Sequence, residues 1–123
     1  MNDKVIMHVE DNEYNRKIVR DLLSKSNYEL LEAQDGEAAL DALTRRRPDL
    51  ILMDVQLPKL SGLEVIRRIR ADPALTEIPV IAITSFALSG DDQRALEAGS
   101  NAYIHKPFRP RELMEMIRRF IGP

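Results

Sequence analysis

The sequence predicts a doubly wound (βα)5 α/β domain: a parallel sheet of five strands in the order 2-1-3-4-5, with helices on both faces. Three observations lead there. Five short apolar runs alternate with segments of helical period along the 123 residues, the pattern of repeated βα units. Three of those runs are apolar almost throughout, as strands covered on both sides must be. Carboxylates, a lysine and a threonine gather where the runs stop, the end at which open α/β sheets collect ligands.

Taken in order, the first strand is read over Lys4-Val5-Ile6-Met7-His8-Val9. The helix after it repeats Ile18 with Leu22 and Val19 with Leu23, each pair four apart. Glu29-Leu30-Leu31-Glu32-Ala33 is a second strand whose two glutamates place it at a sheet edge. Leu40 and Leu43 mark the second helix, and Arg45-Arg46-Arg47 reads as a solvated helix end that favours cations. The third strand runs from Asp49 to Met53. Ser61-Gly62-Leu63-Glu64 has the form of a capping box, opening a third helix with Leu63, Ile66 and Ile69 on one face. Pro79-Val80-Ile81-Ala82-Ile83 is the fourth strand. The segment Ser89-Gly90-Asp91-Asp92-Gln93-Arg94-Ala95-Leu96 is a polar, glycine-containing fourth helix. Asn101-Ala102-Tyr103-Ile104 is the other edge strand. A fifth helix starts after Pro110, with Leu113, Met116, Ile117 and Phe120 on its stripe and Met114 and Ile121 widening it. Residues 1–123 are expected to form a single domain.

Composition narrows the function. Hydrophobic residues make up 44% and charged residues 31%, with a net charge of −2, an ordinary globular mix. The basic residues are scattered, which speaks against a nucleic-acid partner. The absence of cysteine excludes disulfides, thiolate zinc sites and cysteine nucleophiles. No apolar stretch approaches membrane-spanning length and no signal-peptide pattern opens the chain, so no membrane partner is expected and the cytoplasm is the default compartment.

Residues just past the strands form one constellation. The first strand ends in Glu10-Asp11-Asn12, the third in Asp54, the fourth in Thr84-Ser85 and the fifth in His105-Lys106-Pro107. Strands one and three flank the switch point of the sheet, so Glu10, Asp11 and Asp54 should converge. Three carboxylates in one pocket repel unless a cation intervenes. An all-oxygen ligand set favours a hard ion, and Mg²⁺ suits it because it accepts one or two carboxylates and keeps several waters. Lys106 and the Thr84 hydroxyl supply one cationic and one hydrogen-bonding partner for phosphoryl oxygens. Asp54 is then the nucleophile, forming an aspartyl phosphate. Individually each group has a plainer role, as a helix cap, an ST-turn or an edge charge; their coincidence at one end of successive strands carries the reading. The chain lacks GxxxxGK[ST], GxGxxG and GxSxG, so neither a nucleotide cradle nor a nucleophile elbow is offered. His8 and His105 read as packed or partly exposed histidines rather than ligands.

These residues, over essentially the whole chain, resemble the receiver domain of bacterial two-component response regulators, with the CheY-like fold. The ordered set is Glu10-Asp11, Leu52-Met53-Asp54-Val55-Gln56-Leu57-Pro58, Ser61-Gly62, Thr84, Ala98-Gly99 and Tyr103-Ile104-His105-Lys106-Pro107. Glu10-Asp11-Asn12 with Asn15, and Thr84-Ser85-Phe86-Ala87 with Gly90-Asp91, look most like stand-alone DivK-type regulators and receivers of hybrid histidine kinases. The resemblance implies that Asp54 accepts a phosphoryl group from a phosphohistidine on a histidine kinase or histidine phosphotransfer protein. It implies that Asp11 and Asp54 ligate Mg²⁺ directly, with Glu10 acting through water and the backbone carbonyl of Gln56 completing the set. Lys106 and Thr84 would bind phosphoryl oxygens, the Lys106-Pro107 bond would be cis, and Thr84 and Tyr103 would form a switch. The chain departs from the family in three places. Its acidic pair is Glu-Asp rather than Asp-Asp, Gln56 and Phe86 stand where phosphate lifetime is tuned, and His8 replaces an aliphatic residue.

Phosphorylation should pull the loop after the fourth strand inward and move the fourth helix, whose sparse anchors make motion cheap. Output is expected on the surface of the fourth helix, fifth strand and fifth helix, toward a downstream protein effector or a homodimer. The expected protein is a stand-alone signalling switch that phosphorylates and dephosphorylates only itself, not a turnover enzyme. Three alternatives stand beside it: a receiver cut from a hybrid histidine kinase, a small aspartyl-phosphate phosphatase of the haloacid-dehalogenase type, and a phosphorylation-independent binding domain. The phosphatase class wants a second acid two residues after its nucleophile, where this chain has Gln56.

Overall fold

The computed structural model describes residues 3–85 and 90–122. Phe86, and Ser89 at the start of the polar fourth-helix segment, lie outside them. Five strands and five helices alternate: β1 (Val5–Val9), α1 (Glu13–Leu23), β2 (Glu29–Ala33), α2 (Gly36–Leu43), β3 (Leu50–Asp54), α3 (Gly62–Ala71), β4 (Val80–Thr84), α4 (Asp91–Ala98), β5 (Ala102–His105) and α5 (Pro110–Ile121). All neighbouring strands pair in parallel and the sheet order is β2-β1-β3-β4-β5, as the sequence predicts.

Every residue of β1, β3 and β4 is buried, while β2 exposes Glu29 and Glu32 at its edge. Strand alternation divides the core. Ile6, Leu50, Leu52, Ile81, Ile83 and Ile104 pack under α1 and α5, whereas Met7, Val9, Ile51, Met53 and Val80 pack under α2 and α3. Side-chain caps start three of the helices, each worth about 1 kcal/mol. Asn12 accepts from the Asn15 N–H at 3.0 Å, Asp35 from Ala38 at 2.7 Å and Ser61 from Glu64 at 3.3 Å. The Glu64 carboxylate pairs with Arg67 and Arg68 on the helix surface.

Three details differ from the sequence reading. The last three strands each run one residue further: Asp54, Thr84 and His105 are final ladder residues, because Asp54 pairs with Ile83 and Thr84 with His105 in register. On α1, Val19 and Leu23 face the core but Ile18 is 41% exposed. On α5, Met114 is a core residue, while Met116 and Phe120 pack at its margin. Arg45 and Arg46 make surface ion pairs with Asp41 and Glu29 beyond the end of α2.

Candidate phosphoryl-acceptor and metal site

Strand parity builds the site. Ile6, His8 and Glu10 share one face of β1 and its continuation; Leu50, Leu52 and Asp54 share that face on β3, and Ile104 and Lys106 share it on β5. Glu10, Asp54 and Lys106 therefore meet at the carboxyl end of the sheet. Lys106 Nζ donates to Glu10 Oε1 at 2.9 Å and to Asp54 Oδ2 at 3.0 Å. Asp54 Oδ1 accepts the Gln56 N–H at 2.9 Å, and Glu10 Oε2 accepts the Asn12 N–H at 3.2 Å. Glu10 and Asp54 are almost fully buried, while Asp11, on the turn leading into α1, is exposed. The peptide bond between Lys106 and Pro107 is cis.

Burial sets the electrostatics and the lysine modulates them. Asp54 is pushed up to about 6, first by burial and then by the Glu10 charge, against the pull of Lys106 and the Gln56 N–H. Glu10 is also penalised by burial, but its bonds with Lys106 and Asn12 outweigh that and hold it below its ordinary value. Burial alone would lower Lys106, yet its two carboxylate partners raise it. Two neighbouring acids are thus driven apart, one firmly ionised and the other titrating near neutrality, a division typical of functional sites.

One oxygen from each of Glu10, Asp11 and Asp54 lies within 4.8 Å of the others. An oxygen-only cluster of this size fits a hard divalent cation, with Asp11 at the open side. Arg16, which the sequence reading did not single out, donates to the Glu10 carbonyl at 2.8 Å and braces the turn that presents the acids.

Thr84 has the opposite parity. With Ala82 it faces α4, and its buried hydroxyl donates to Asp92 Oδ1 at 2.9 Å. The other Asp92 oxygen lies 2.7 Å from His105 Nε2, and the Tyr103 ring, 38% exposed, sits 5.4 Å from the His105 ring. The structure thus gathers Glu10, Asp11, Asp54 and Lys106 at one point, and sets Thr84 and Tyr103 on the adjoining α4 face. The Gln56 side chain accepts from Ser85 Oγ at 3.1 Å. Asp92 and the polar role of His105 were missed by sequence reasoning; an acid in the first turn of α4 was the only signal, and helix capping accounts for it equally well.

A cleft of about 580 Å³ opens beside Glu10 and Lys106, between α1 and the loop entering α5. Tyr14, Ile18, Val19 and Phe108 line it, and His8 forms part of its buried wall. His8 Nδ1 has no hydrogen-bond partner among the described residues.

A fold of this topology, with an acid triad and a lysine at its switch point, defines a receiver, and residues 6–118 match the model of the response regulator receiver domain; the chain belongs to that family. Within it, the polar-differentiation response regulator DivK of Brucella anthropi is 48% identical over 119 residues, covering 97% of each chain. DivK of Brucella ovis is 47% identical over the same length and coverage. The receiver domain of sensor histidine kinase PA1611 from Pseudomonas aeruginosa, solved with a magnesium ion coordinated in its active site cleft, is 38% identical with a TM-score of 0.91. It covers 99% of this chain and 100% of its own. The chemotaxis protein CheY4 of Vibrio cholerae superposes with a TM-score of 0.90 at 26% identity, over 97% of this chain and 99% of its own. The protein is therefore a DivK-like, CheY-fold receiver of a two-component system.

Proposed function

We propose that the whole chain acts as one phosphorylation-dependent switch in which Asp54 accepts a phosphoryl group from a phosphohistidine and the α4-β5-α5 surface reports the result. One observation carries this reading: Lys106 bridges Glu10 and Asp54, so a cation already stands where phosphoryl charge would develop. An Asp54 oxygen attacks phosphorus, the P–N bond breaks, and its electron pair stays on the departing imidazole, which takes its proton from solvent. Lys106 then follows the negative charge from the carboxylate to the phosphoryl oxygens. Glu10, Asp11, Asp54 and the Gln56 carbonyl would hold Mg²⁺; the PA1611 receiver has a magnesium ion coordinated in its active site cleft. Bound there, Mg²⁺ would neutralise charge on the transferring group.

The cleft beside Lys106 suits the donor, a histidine kinase or histidine phosphotransfer protein. Tyr14 at 71% exposure and Ile18 at 41% offer apolar contact within reach of the acceptor. Leu96 and Tyr103, also exposed, support an output face on α4 and β5 for a downstream protein or a second copy. No described helix is long and apolar enough to cross a membrane, which accords with a cytoplasmic role. The protein is not a turnover enzyme in this reading: Gln56 occupies the place of a phosphatase's second acid and bonds Ser85. Incubation with Mg²⁺ and acetyl phosphate tests the proposal by intact mass. Wild-type protein should gain one phosphoryl group and Asp54→Asn none; the same mass gain in both proteins, or no gain in either, would reject it.

A further inference from the structure

Thr84 cannot serve two acceptors at once. A hydroxyl has one proton to donate, and in this structure that proton goes to Asp92 on α4. We infer that Asp92 is a positioning residue, an acidic latch that holds the Thr84 hydroxyl on the α4 side and opposes its transfer to the phosphoryl group on Asp54. The inference rests on the proposed reading of Asp54 and adds to it the contact that phosphorylation must break.

The geometry supports a latch rather than an incidental contact. Thr84 is 1% exposed and is the terminal residue of a buried strand, and among the described residues its hydroxyl donates to Asp92 alone. Asp92 is held at both oxygens, by Thr84 at 2.9 Å and His105 at 2.7 Å. Thr84 and His105 are register partners on β4 and β5, so their side chains rise on the same face, and α4 brings Asp92 down between them. The Tyr103 ring lies against His105 on that face. Release of Thr84 leaves Asp92 with His105 as its one side-chain partner among the described residues and loosens the first turn of α4. The hydroxyl, the helix and the aromatic at the output surface are thereby linked through one carboxylate. An added cost on the phosphorylated state follows, because a hydrogen bond to a charged acceptor is lost whenever Thr84 turns.

Calorimetry of beryllofluoride binding with Mg²⁺, on wild type, Asp92→Ala, Thr84→Val and the double variant, measures that cost. Asp92→Ala should bind about tenfold more tightly than wild type, the equivalent of one such hydrogen bond. The gain should vanish in the Thr84→Val background, a coupling that a general loosening of α4 would not produce. His105→Ala, which keeps the latch but removes its second anchor, should give a smaller gain in the same direction. In ligand-free Asp92→Ala, the Thr84 amide and methyl resonances should move toward their positions in the beryllofluoride-bound wild type. Equal or weaker binding by Asp92→Ala, or a gain that persists without the Thr84 hydroxyl, overturns the latch while leaving the acceptor reading intact. No beryllofluoride binding by wild type overturns both.

Discussion

His8 sits where two physical costs coincide, and its replacement by isoleucine should reveal both. It lies on β1 between Leu52 of β3 and Glu32 of β2 in register, 1% exposed, with Nδ1 unpartnered among the described residues. Burial pushes its pKa from 6.5 down to about 4, against the pull of the Glu10 and Glu32 carboxylates and with added repulsion from Lys106 and Arg16. The folded protein therefore keeps His8 neutral while the unfolded chain takes up a proton below about pH 6.5. This depressed pKa leaves stability intact above the unfolded value, drains it as pH falls from about 6.5 to about 4, and changes nothing further below that. The full loss amounts to ~3 kcal/mol, and at about pH 5 to ~2 kcal/mol. His8→Ile also removes the orphaned nitrogen, worth about 1–3 kcal/mol at every pH. In urea denaturation without divalent cations, His8→Ile should be the more stable protein at about pH 7.5, and the gap should widen by ~2 kcal/mol at about pH 5. A gap that stays constant between those two conditions would refute the burial of a neutral His8.

Other perturbations probe the walls of the site. A Cβ at Gly62 would stand 2.1 Å from the Asp54 carbonyl oxygen and 2.9 Å from Val55 Cα, so Gly62→Ala should cost at least ~2 kcal/mol in denaturation; a change within ~0.5 kcal/mol would contradict that packing. Lys106→Met should raise the Asp54 midpoint above about 6 by roughly one pH unit or more in carboxyl ¹³C NMR without metal, since the opposing cation is gone; an unchanged midpoint argues against the Lys106–Asp54 bond. Mg²⁺ should stabilise the wild type against heat, by ~2.7 kcal/mol at a hundredfold excess over Kd, and Asp11→Asn should need about tenfold more of the ion; identical titrations would remove Asp11 from the ligand set.

The fold was legible because each sheet layer leaves its own periodicity. The unbroken apolar runs at β1, β3 and β4 and the glutamates of β2 encode which strands are central and which lie at an edge. The convergence of Glu10, Asp54 and Lys106 was legible too, since strand ends and parity follow from the same runs. What stayed hidden depends on side chains meeting across elements. Ile18 and Met114 exchange expected roles because a helical stripe shows its period but not its centre, which the neighbouring helix decides. The Asp92 contact joins α4 to β4 and β5, and an acid in a helix's first turn carries no mark of the partner it will find. Arg16 likewise looks like one more surface cation until the turn after β1 places the Glu10 carbonyl before it.

Asp54, rather than its acidic neighbours, should take the phosphoryl group. Borohydride reduction of the acetyl phosphate-treated protein converts an acyl phosphate to an alcohol, and peptide mapping then locates it. A single reduced position is expected, Asp54, converted to homoserine and absent when acetyl phosphate is omitted. Reduction at Glu10 or Asp11, or at no residue in protein that has gained phosphoryl mass, would contradict it.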